Sequence, residues 1–458
     1  MKKSIALLLT AAMSVGMLTA CGSEGAGSQK SSQTAPTTSA SSEASGVAAS
    51  SEQSSEASGS STSAEGKVTF EFWHSMSGAS GEALTGLVNQ FNESQDTYYC
   101  EPIYQGSYYE VTAKIQAAMA ANDAPALAQM ECMRICMFEE DGVLVDLTDY
   151  IEATPEIEFD DFQEGFLADC VFDDGIWAVP FNRSTPVFYY NADMLKENNL
   201  EVPTTWEELH EVAKALSIEN ERWGFETPID TWFYEAMIMQ SGTPMFNEDN
   251  TTIAYNNEAG TAPLYFWKEM IADGSMKTPP GQEYNSWEAA RTDFAAGTSA
   301  MILNSTGSLK SLIEACDFEV GTAFLPAKER YGVPTGGANL MMVAGVPKEQ
   351  SDGAFALITF LSNPEIAAQV SMATGYVPVK KAVVDTQAWK DYIEEVPAAQ
   401  VAVEQMQYTD IPRPIIPEYN EIHTVIVMNA IQKCILEDNY TPEQCVADIQ
   451  AQVEELLK

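Results

Sequence analysis

Segments with the periodicity of a strand alternate with segments of helical periodicity from residue 67 onward, and this alternation limits the chain to few fold classes. Residues 67–73 alternate apolar and polar side chains, apolar residues from 84 to 91 recur at helical spacing, and 98–104 return to strand periodicity. This order predicts α/β lobes with largely parallel sheets. Further strands are expected at 178–181, 187–190, 300–304, 320–324 and 340–343.

Capping residues mark helix boundaries in the second half of the chain. Thr205 with Glu208 three positions later predicts a capping box, and Asn363 followed by proline predicts a helix that ends at Gly375. Thr441, also followed by proline, precedes the last apolar helical segment. Helices are therefore expected to begin just after these three residues.

The folded part of the chain, 67–458, is long enough to favour two lobes over one core. Its centre, 191–297, is mostly of helical character and carries five of the eight tryptophans. A chain that leaves one α/β lobe for a helix-rich insertion and then returns to strands predicts discontinuous lobes with a ligand cleft between them. The expected lobes are 67–185 with 298–343 (lobe 1) and 186–297 with 344–458 (lobe 2).

The first 21 residues have the features of a bacterial lipoprotein signal peptide. Lys2 and Lys3 precede an apolar stretch over 5–17 that is too short to span a bilayer, and small residues lead to Cys21. We expect cleavage before Cys21 and attachment of lipid to it, which would hold the protein on the extracytoplasmic face of the cell membrane. An ordinary cleaved signal and an N-terminal anchor helix are the alternatives.

Residues 22–66 are rich in serine, alanine, glycine and glutamate and contain no aromatic residue. Such a segment cannot bury enough apolar surface to offset the entropy of ordering, so it predicts a disordered tether. A flexible chain of about 45 residues reaches roughly 35–40 Å, far enough for the folded body to meet a protein in the same membrane. A glycosylated stalk is the alternative.

The charge balance excludes one class of partner. The chain has 67 acidic and 23 basic residues and a net charge of −44, which repels the phosphate backbone of nucleic acids. We therefore expect no nucleic-acid partner.

The cysteines do not predict a disulfide framework. Eight are present, and lipid on Cys21 leaves an odd number, so at least one thiol stays free. Cys132 and Cys136 are four residues apart, but no histidine or second cysteine pair completes a metal site. Buried thiols are expected, and no metal.

Motifs for catalysis are absent from the sequence. It contains no motif that places a nucleophile, a nucleotide phosphate, a dinucleotide or a catalytic zinc. Of its three histidines, His74 and His423 are candidates for polar cleft residues and His210 for a surface residue. We expect no catalytic residues, no cofactor and no enzymatic activity; the paired carboxylates of a glycoside hydrolase are an alternative without a specific signal.

Aromatic residues stand beside polar ones at the ends of predicted strands. These groups begin at Trp73, Tyr108, Phe181 and Gly375, the last being followed by Tyr376. Sugars and polyols need this mixture, because their C–H faces stack on rings while their hydroxyls need hydrogen-bond partners. Packing of each ring in a core is the alternative.

Six motifs follow one another along nearly the whole body, at 72–76, 123–126, 180–191, 205–206, 336–338 and 374–378. Together they resemble the extracellular solute-binding proteins of family 1, the receptor subunits of bacterial ABC importers. The resemblance implies an α/β fold of two lobes, of the type II, maltose-binding-protein-like kind, that closes on a ligand. It also implies the transmembrane subunits of a permease as partners. We expect a monomer.

The resemblance implies a set of ligand contacts by position. Residues of the family that contact the ligand match Tyr108, Ser184, Ser305, Gly337 and Tyr376. These five residues are therefore expected to line the cleft.

Two further positions depart from the pattern of the family. The acidic ligand contact of the relatives falls on Cys132, and Glu131, one place earlier, is expected to serve instead, although a shift of one residue on a strand reverses its face. An arginine that binds phosphate in the relatives matches His423, with Arg413 or Arg183 as candidates to replace it.

Trp73 and Trp232 complete the expected site as stacking surfaces. The missing arginine favours a neutral carbohydrate or polyol as ligand. Glycerol-3-phosphate or a glycerophosphodiester is the alternative ligand. A tethered glycoside hydrolase and an adhesive surface protein are the rival functions.

Overall fold

The computed structural model describes residues 66–280 and 284–458, so the signal peptide with Cys21 and the tether up to residue 65 lie outside the described residues. The strands are β1 (Val68–His74), β2 (Tyr98–Tyr104), β3 (Leu127–Glu131), β4 (Val171–Phe172), β5 (Gly175–Ile176), β6 (Val179–Ser184), β7 (Pro186–Asn191), β8 (Phe225–Glu226), β9 (Met276–Lys277), β10 (Met301–Ser305), β11 (Val320–Ala323) and β12 (Gly336–Met342).

The α-helices outnumber the strands in the described part of the chain. They are α1 (Gly78–Ser94), α2 (Tyr108–Ala121), α3 (Ile135–Glu140), α4 (Thr148–Glu152), α5 (Glu164–Leu167), α6 (Ala192–Glu197), α7 (Trp206–Leu216), α8 (Thr231–Met239), α9 (Glu258–Ala272), α10 (Tyr284–Ala295), α11 (Leu309–Ala315), α12 (Lys348–Leu361), α13 (Pro364–Thr374), α14 (Gln387–Glu395), α15 (Gln400–Gln405), α16 (Tyr419–Glu421), α17 (Met428–Leu436) and α18 (Pro442–Leu456). A π-helix spans Ile422–Val427, and short 3₁₀ turns include Cys132–Arg134 and Thr306–Ser308.

Two five-stranded sheets form the framework, with the strand orders β2-β1-β3-β12-β6 and β11-β7-β10-β8-β9. In the first sheet β1 is parallel to β2 and β3, whereas β12 is antiparallel to β3 and β6. In the second, β7 is antiparallel to β10 and β11, and β8 is parallel to β10 and β9. Both sheets are mixed, which corrects the expectation of largely parallel sheets. Strands β7 and β12 arrive directly from the other sheet, without the helical crossover that parallel neighbours need.

The chain crosses between the two sheets more than once. It leaves the first sheet at Ser184, enters the second at Pro186, and returns between β11 and β12. Residues 298–343 are therefore divided: β10 and β11 belong to the second sheet, and β12 belongs to the first. This corrects the expected lobe 1, which kept them together.

Helices from the last third of the chain cover both sheets. Phe70 of β1 shares a core with Leu357 of α12 and Ala367 of α13, whereas Phe188 of β7 shares a core with Val446 of α18. Residues 344–458 were expected to lie wholly in lobe 2, and that expectation is wrong for α12 and α13, which pack against β1 and α1. Helical periodicity shows that these helices have an apolar face but not which sheet covers it.

The predicted helix caps are present. The Thr441 hydroxyl accepts a hydrogen bond from Gln444 N, and the Gln444 side chain accepts one from Thr441 N, which completes a capping box. The Thr205 hydroxyl accepts from Glu208 N at 3.1 Å, but the Glu208 carboxylate accepts from Thr204 N instead of Thr205 N. The capping box predicted at Thr205 and Glu208 is therefore only half formed.

The described cysteines and helices add two findings. All cysteines of the described residues are free thiols, namely Cys100, Cys132, Cys136, Cys170, Cys316, Cys434 and Cys445. Among the described residues, no group of three or more His, Cys, Asp or Glu side chains could hold a metal ion. Within 66–280 and 284–458, no helix combines the length and apolar character needed to cross a bilayer.

Candidate functional site

A cavity of about 900 Å³ opens where the ends of strands from both sheets meet. Its walls come from the turn after β1, the start of α2, the ends of β3, β6 and β10, the start of β12, and the helices α8, α10 and α11. The structure brings eight of the predicted site residues to its lining: Tyr108, Glu131, Ser184, Trp232, Ser305, Gly337, Tyr376 and His423.

Trp73 is the predicted site residue that does not line the cavity. Its indole Nε1 donates to Glu71 Oε2 at 2.7 Å, and its ring packs against a separate core cluster that contains Val111 and Ile115. His74, the next residue, is buried and also lies outside the lining, and burial lowers its pKa to about 4. The strand turns both side chains away, so that Ser75 reaches the cavity instead.

A chain of hydrogen bonds holds Tyr108 at the cavity wall. Asn182 Nδ2 donates to the Tyr108 hydroxyl at 3.2 Å, and Gln129 Nε2 donates to Asn182 Oδ1 at 2.7 Å. Gln129 Oε1 in turn accepts from Ser75 N at 2.7 Å. Burial raises the pKa of both Tyr108 and Tyr376, so each stays a neutral phenol that can donate to a ligand hydroxyl and accept from one.

Two glycines shape the wall around these phenols. Gly337 has φ 78°, and a Cβ there would lie 2.1 Å from Asn182 O. A Cβ on Gly307 would lie 2.7 Å from the Tyr376 ring, so the ring rests directly on the backbone. No residue with a side chain fits either position without displacing a neighbour.

Glu131 and Cys132 both reach the cavity, because β3 ends at Glu131 and a 3₁₀ turn begins at Cys132. The expected reversal of face on a strand therefore does not apply here. Arg134 Nε donates to Glu131 Oε2 at 2.8 Å and fixes the carboxylate at the wall. Burial raises the pKa of the Cys132 thiol to about 12, so the thiol is neutral.

Aromatic rings form a further part of the wall, next to Gly336. The Trp232 indole stacks on Trp287 with ring centroids 5.6 Å apart, and its Nε1 donates to Thr335 O at 3.2 Å. Asp230 caps α8 by accepting from Trp232 N at 2.9 Å and also accepts from Trp287 Nε1 at 3.0 Å. Burial raises the pKa of the Asp230 carboxyl. Sequence reasoning missed Asp230 and Trp287; the signal for Asp230 was its position as a helix cap beside Trp232.

A buried cluster around Glu235 carries His423. Glu235 Oε2 accepts from Arg413 Nε at 3.0 Å and from Arg413 Nη2 at 2.7 Å, and His423 Nε2 lies 3.5 Å from Glu235 Oε1. Burial by itself raises the pKa of Glu235, but the charges of Arg413 and His423 outweigh it and lower that pKa to about 2. His423 Nδ1 has no hydrogen-bond partner among the described residues. The cluster joins the lining through Arg413 and His423.

The two arginines considered as replacements at His423 differ in position. Arg413 lines the cavity, whereas Arg183 is fully buried behind it and is absent from the lining. Asp169 binds Arg183 through two oxygens, at 2.8 and 2.7 Å, and Gly336 O accepts from its Nε at 2.9 Å. Arg183 therefore supports the strands that present Ser184 and Gly337.

Residues 86–398 match the family described as bacterial extracellular solute-binding protein. The sn-glycerol-3-phosphate-binding periplasmic protein UgpB of Escherichia coli is 28% identical over 363 residues, which cover 75% of this chain and 81% of that protein. UgpB from Mycobacterium tuberculosis, solved in complex with glycerophosphocholine, superposes with a TM-score of 0.76 at 26% identity and covers 86% of this chain and 99% of that one. The cyclic alpha-maltosyl-1,6-maltose binding protein from Arthrobacter globiformis gives a TM-score of 0.73 at 21% identity, with coverage of 86% and 100%.

These similarities confirm the two-lobe, maltose-binding-protein-like α/β fold that was expected from the motifs. They also confirm a binding function in place of an enzymatic one, since the matched family is named for solute binding and the UgpB relatives for glycerol-3-phosphate binding. The match over residues 86–398 covers more than half of the chain. This chain belongs to the bacterial extracellular solute-binding proteins.

Proposed function

We propose that this protein is the lipid-anchored receptor of a bacterial ABC importer and that its ligand is a neutral carbohydrate or polyol, delivered to the membrane permease by a monomer. One observation carries the choice of ligand: both arginines of the cavity lining are already paired with carboxylates. Arg413 is bound by Glu235, and Arg291 contacts Glu288. A phosphate monoester needs an uncommitted cationic fork, which this lining lacks among the described residues.

The remaining lining residues suit hydroxyl groups. Tyr108 and Tyr376 present neutral phenols, Ser184 and Ser305 present hydroxyls, and Glu131 presents a carboxylate acceptor. The aromatic wall offers a surface for the C–H face of a sugar ring. A hydroxyl-rich ligand would satisfy these groups, and their hydrogen bonds would be lost on an apolar ligand.

A glycerophosphodiester is the second candidate ligand. Arg413 does reach the cavity, and His423 Nδ1 beside it has no partner among the described residues. A diester carries one negative charge and needs less cationic compensation than the dianion of a monoester. The relative from Mycobacterium tuberculosis was solved with glycerophosphocholine.

Calorimetric titration of the protein with a neutral panel and a phosphorylated panel decides between these ligands. The neutral panel contains hexoses, disaccharides and alditols, and the other contains glycerol-3-phosphate and glycerophosphocholine. We expect a neutral ligand to bind with a micromolar Kd, about −8 kcal/mol. Heat from glycerophosphocholine alone would replace the proposal by the second candidate, and heat from glycerol-3-phosphate would contradict the argument from the paired arginines.

The lipid anchor is proposed from the sequence around Cys21. The full chain, produced in a bacterium fed a labelled fatty acid, should take up label and sediment with membranes, and Cys21→Ser should lose both properties. Cys100→Ser, which changes a buried thiol of the body, is the matched control and should keep the label. A Cys21→Ser protein that stays labelled would contradict the anchor.

A further inference from the structure

Two thiols face each other where the last two helices meet. Cys434 lies in the last turn of α17, and Cys445 lies in the first turn of α18. A short turn joins these helices, so their adjoining ends are close in space. Both cysteines are fully buried in the core of the second sheet, together with Val446.

The contacts around the two sulfurs show that they share one site. Cys434 Sγ lies 3.7 Å from Tyr440 O, in the turn between the helices. The Cys434 and Cys445 thiols form a side-chain hydrogen bond with each other. In that bond Cys445 acts as the donor, which raises the pKa of Cys445 and lowers the pKa of Cys434.

No other cysteine of the described residues has a hydrogen bond with a second thiol. Burial raises the pKa of Cys100, Cys132, Cys136, Cys170 and Cys316. Each of these thiols is therefore held in its protonated, weakly reactive form.

We propose that Cys434 and Cys445 are oxidised to a disulfide in the exported protein. Proteins outside the cytoplasm meet oxidising conditions in which a pair of adjacent thiols is converted and kept. The two thiols lose two protons and two electrons as one S–S bond forms, and a protein or small-molecule disulfide accepts them and becomes two thiols. One of the two thiolates attacks that disulfide, and the other then displaces the mixed disulfide so formed. Because both sulfurs are buried in the folded protein, the exchange takes place while the last two helices assemble.

The link would fasten the final helix to the wall of the cavity. Helix α17 continues directly from the π-helix Ile422–Val427, which carries His423 into the lining. A covalent bond between α17 and α18 closes a short loop and restricts the unfolded chain, which stabilises the folded state. We therefore expect the oxidised protein to unfold at a higher temperature than the reduced protein.

Peptide mapping of the wild-type full chain tests the disulfide directly. The protein is exported by a bacterial host or refolded in a glutathione redox buffer, then denatured without reductant, alkylated and digested. We expect the peptides that contain Cys434 and Cys445 to be joined, and the peptide that contains Cys316 to be alkylated. Free alkylation of both Cys434 and Cys445 would overturn the proposal.

A second measurement compares variants by thermal unfolding with and without dithiothreitol. In the wild type and in the control Cys316→Ser, the reductant should lower the unfolding midpoint by several degrees. In Cys434→Ser and Cys445→Ser it should change nothing. An equal effect of reductant on all four proteins would overturn the proposal, and the mapping on the wild type holds even if a serine variant fails to fold.

Discussion

Tyr376 combines a lining position with a rigid support, because its ring rests on the Gly307 backbone and burial keeps its phenol neutral. We predict that Tyr376→Ala weakens ligand binding at least tenfold, about 1.4 kcal/mol, since both a stacking surface and a hydrogen-bonding group are lost. Isothermal titration with the ligand identified from the panel measures the change. Tyr265→Ala removes a half-exposed tyrosine from the middle of α9, outside the cavity lining, and should leave the isotherm unchanged. An unchanged isotherm for Tyr376→Ala would exclude that residue from the site.

Gly337 is a residue whose side chain must be absent. A Cβ would approach Asn182 O to 2.1 Å, whereas a Cβ on Gly345, which also has a positive φ of 88°, would meet nothing within 4 Å. We predict that Gly337→Ala lowers the free energy of unfolding by about 2 kcal/mol or more, and Gly345→Ala by about 1 kcal/mol, the backbone cost alone. Urea unfolding of both variants gives the comparison. Equal losses would show that the strand pairing absorbs the collision.

At the scale of elements, strand β8 carries a buried carboxylate with an unusual pKa. Burial raises the pKa of Glu226 from 4.5 to about 7, even though Ser299 and Lys277 oppose the shift. The folded state therefore holds a proton that the unfolded state has released between about pH 4.5 and pH 7. Consequently this group makes the free energy of unfolding fall as the pH rises through that window.

We predict that Glu226→Gln removes this pH dependence, because an amide keeps the uncharged state at every pH. The difference in free energy of unfolding, variant minus wild type, should therefore be about 2 kcal/mol larger at pH 8 than at pH 5. The variant thus gains stability relative to the wild type as the pH rises. Urea unfolding at the two pH values measures it. Glu197→Gln, an exposed change on α6, should show no such difference. An equal effect of Glu226→Gln at both pH values would contradict the raised pKa.

The position of a residue relative to the end of its strand explains which predicted site residues reach the cavity. Glu131 reaches the cavity because β3 stops there and a 3₁₀ turn begins, whereas Trp73 still belongs to β1 and its ring is turned to another core. The alternation of β1 was visible in the sequence, but the face that borders the cavity was not. Similarly, the helix after Asn363 was expected near the true position of α13 and was assigned to the wrong lobe.

For the whole molecule, the cavity takes its walls from both sheets, so a bound ligand holds together parts of the chain that are distant in sequence. We predict that the ligand stabilises the whole folded body by mass action, by about 2.7 kcal/mol at a concentration 100-fold above its Kd. Denaturant unfolding with and without the ligand tests this. Tyr376→Ala should show a smaller gain at the same ligand concentration. An adhesive surface protein would gain stability from no member of the panel.

The sequence by itself determined the local features of this protein: the order of strands and helices, the caps at Thr441 and Asn363, and the family motifs that mark Tyr108, Ser184 and Tyr376. These depend on periodicity and short-range hydrogen bonds, which neighbouring residues specify. Only the tertiary structure decided the sheet to which each helix belongs, the exclusion of Trp73, and the pairing of Arg413 with Glu235 beside His423. Those outcomes depend on contacts between residues that are far apart in the chain. Such contacts arise when the helices and sheets pack together, and they leave no periodic signal in the sequence.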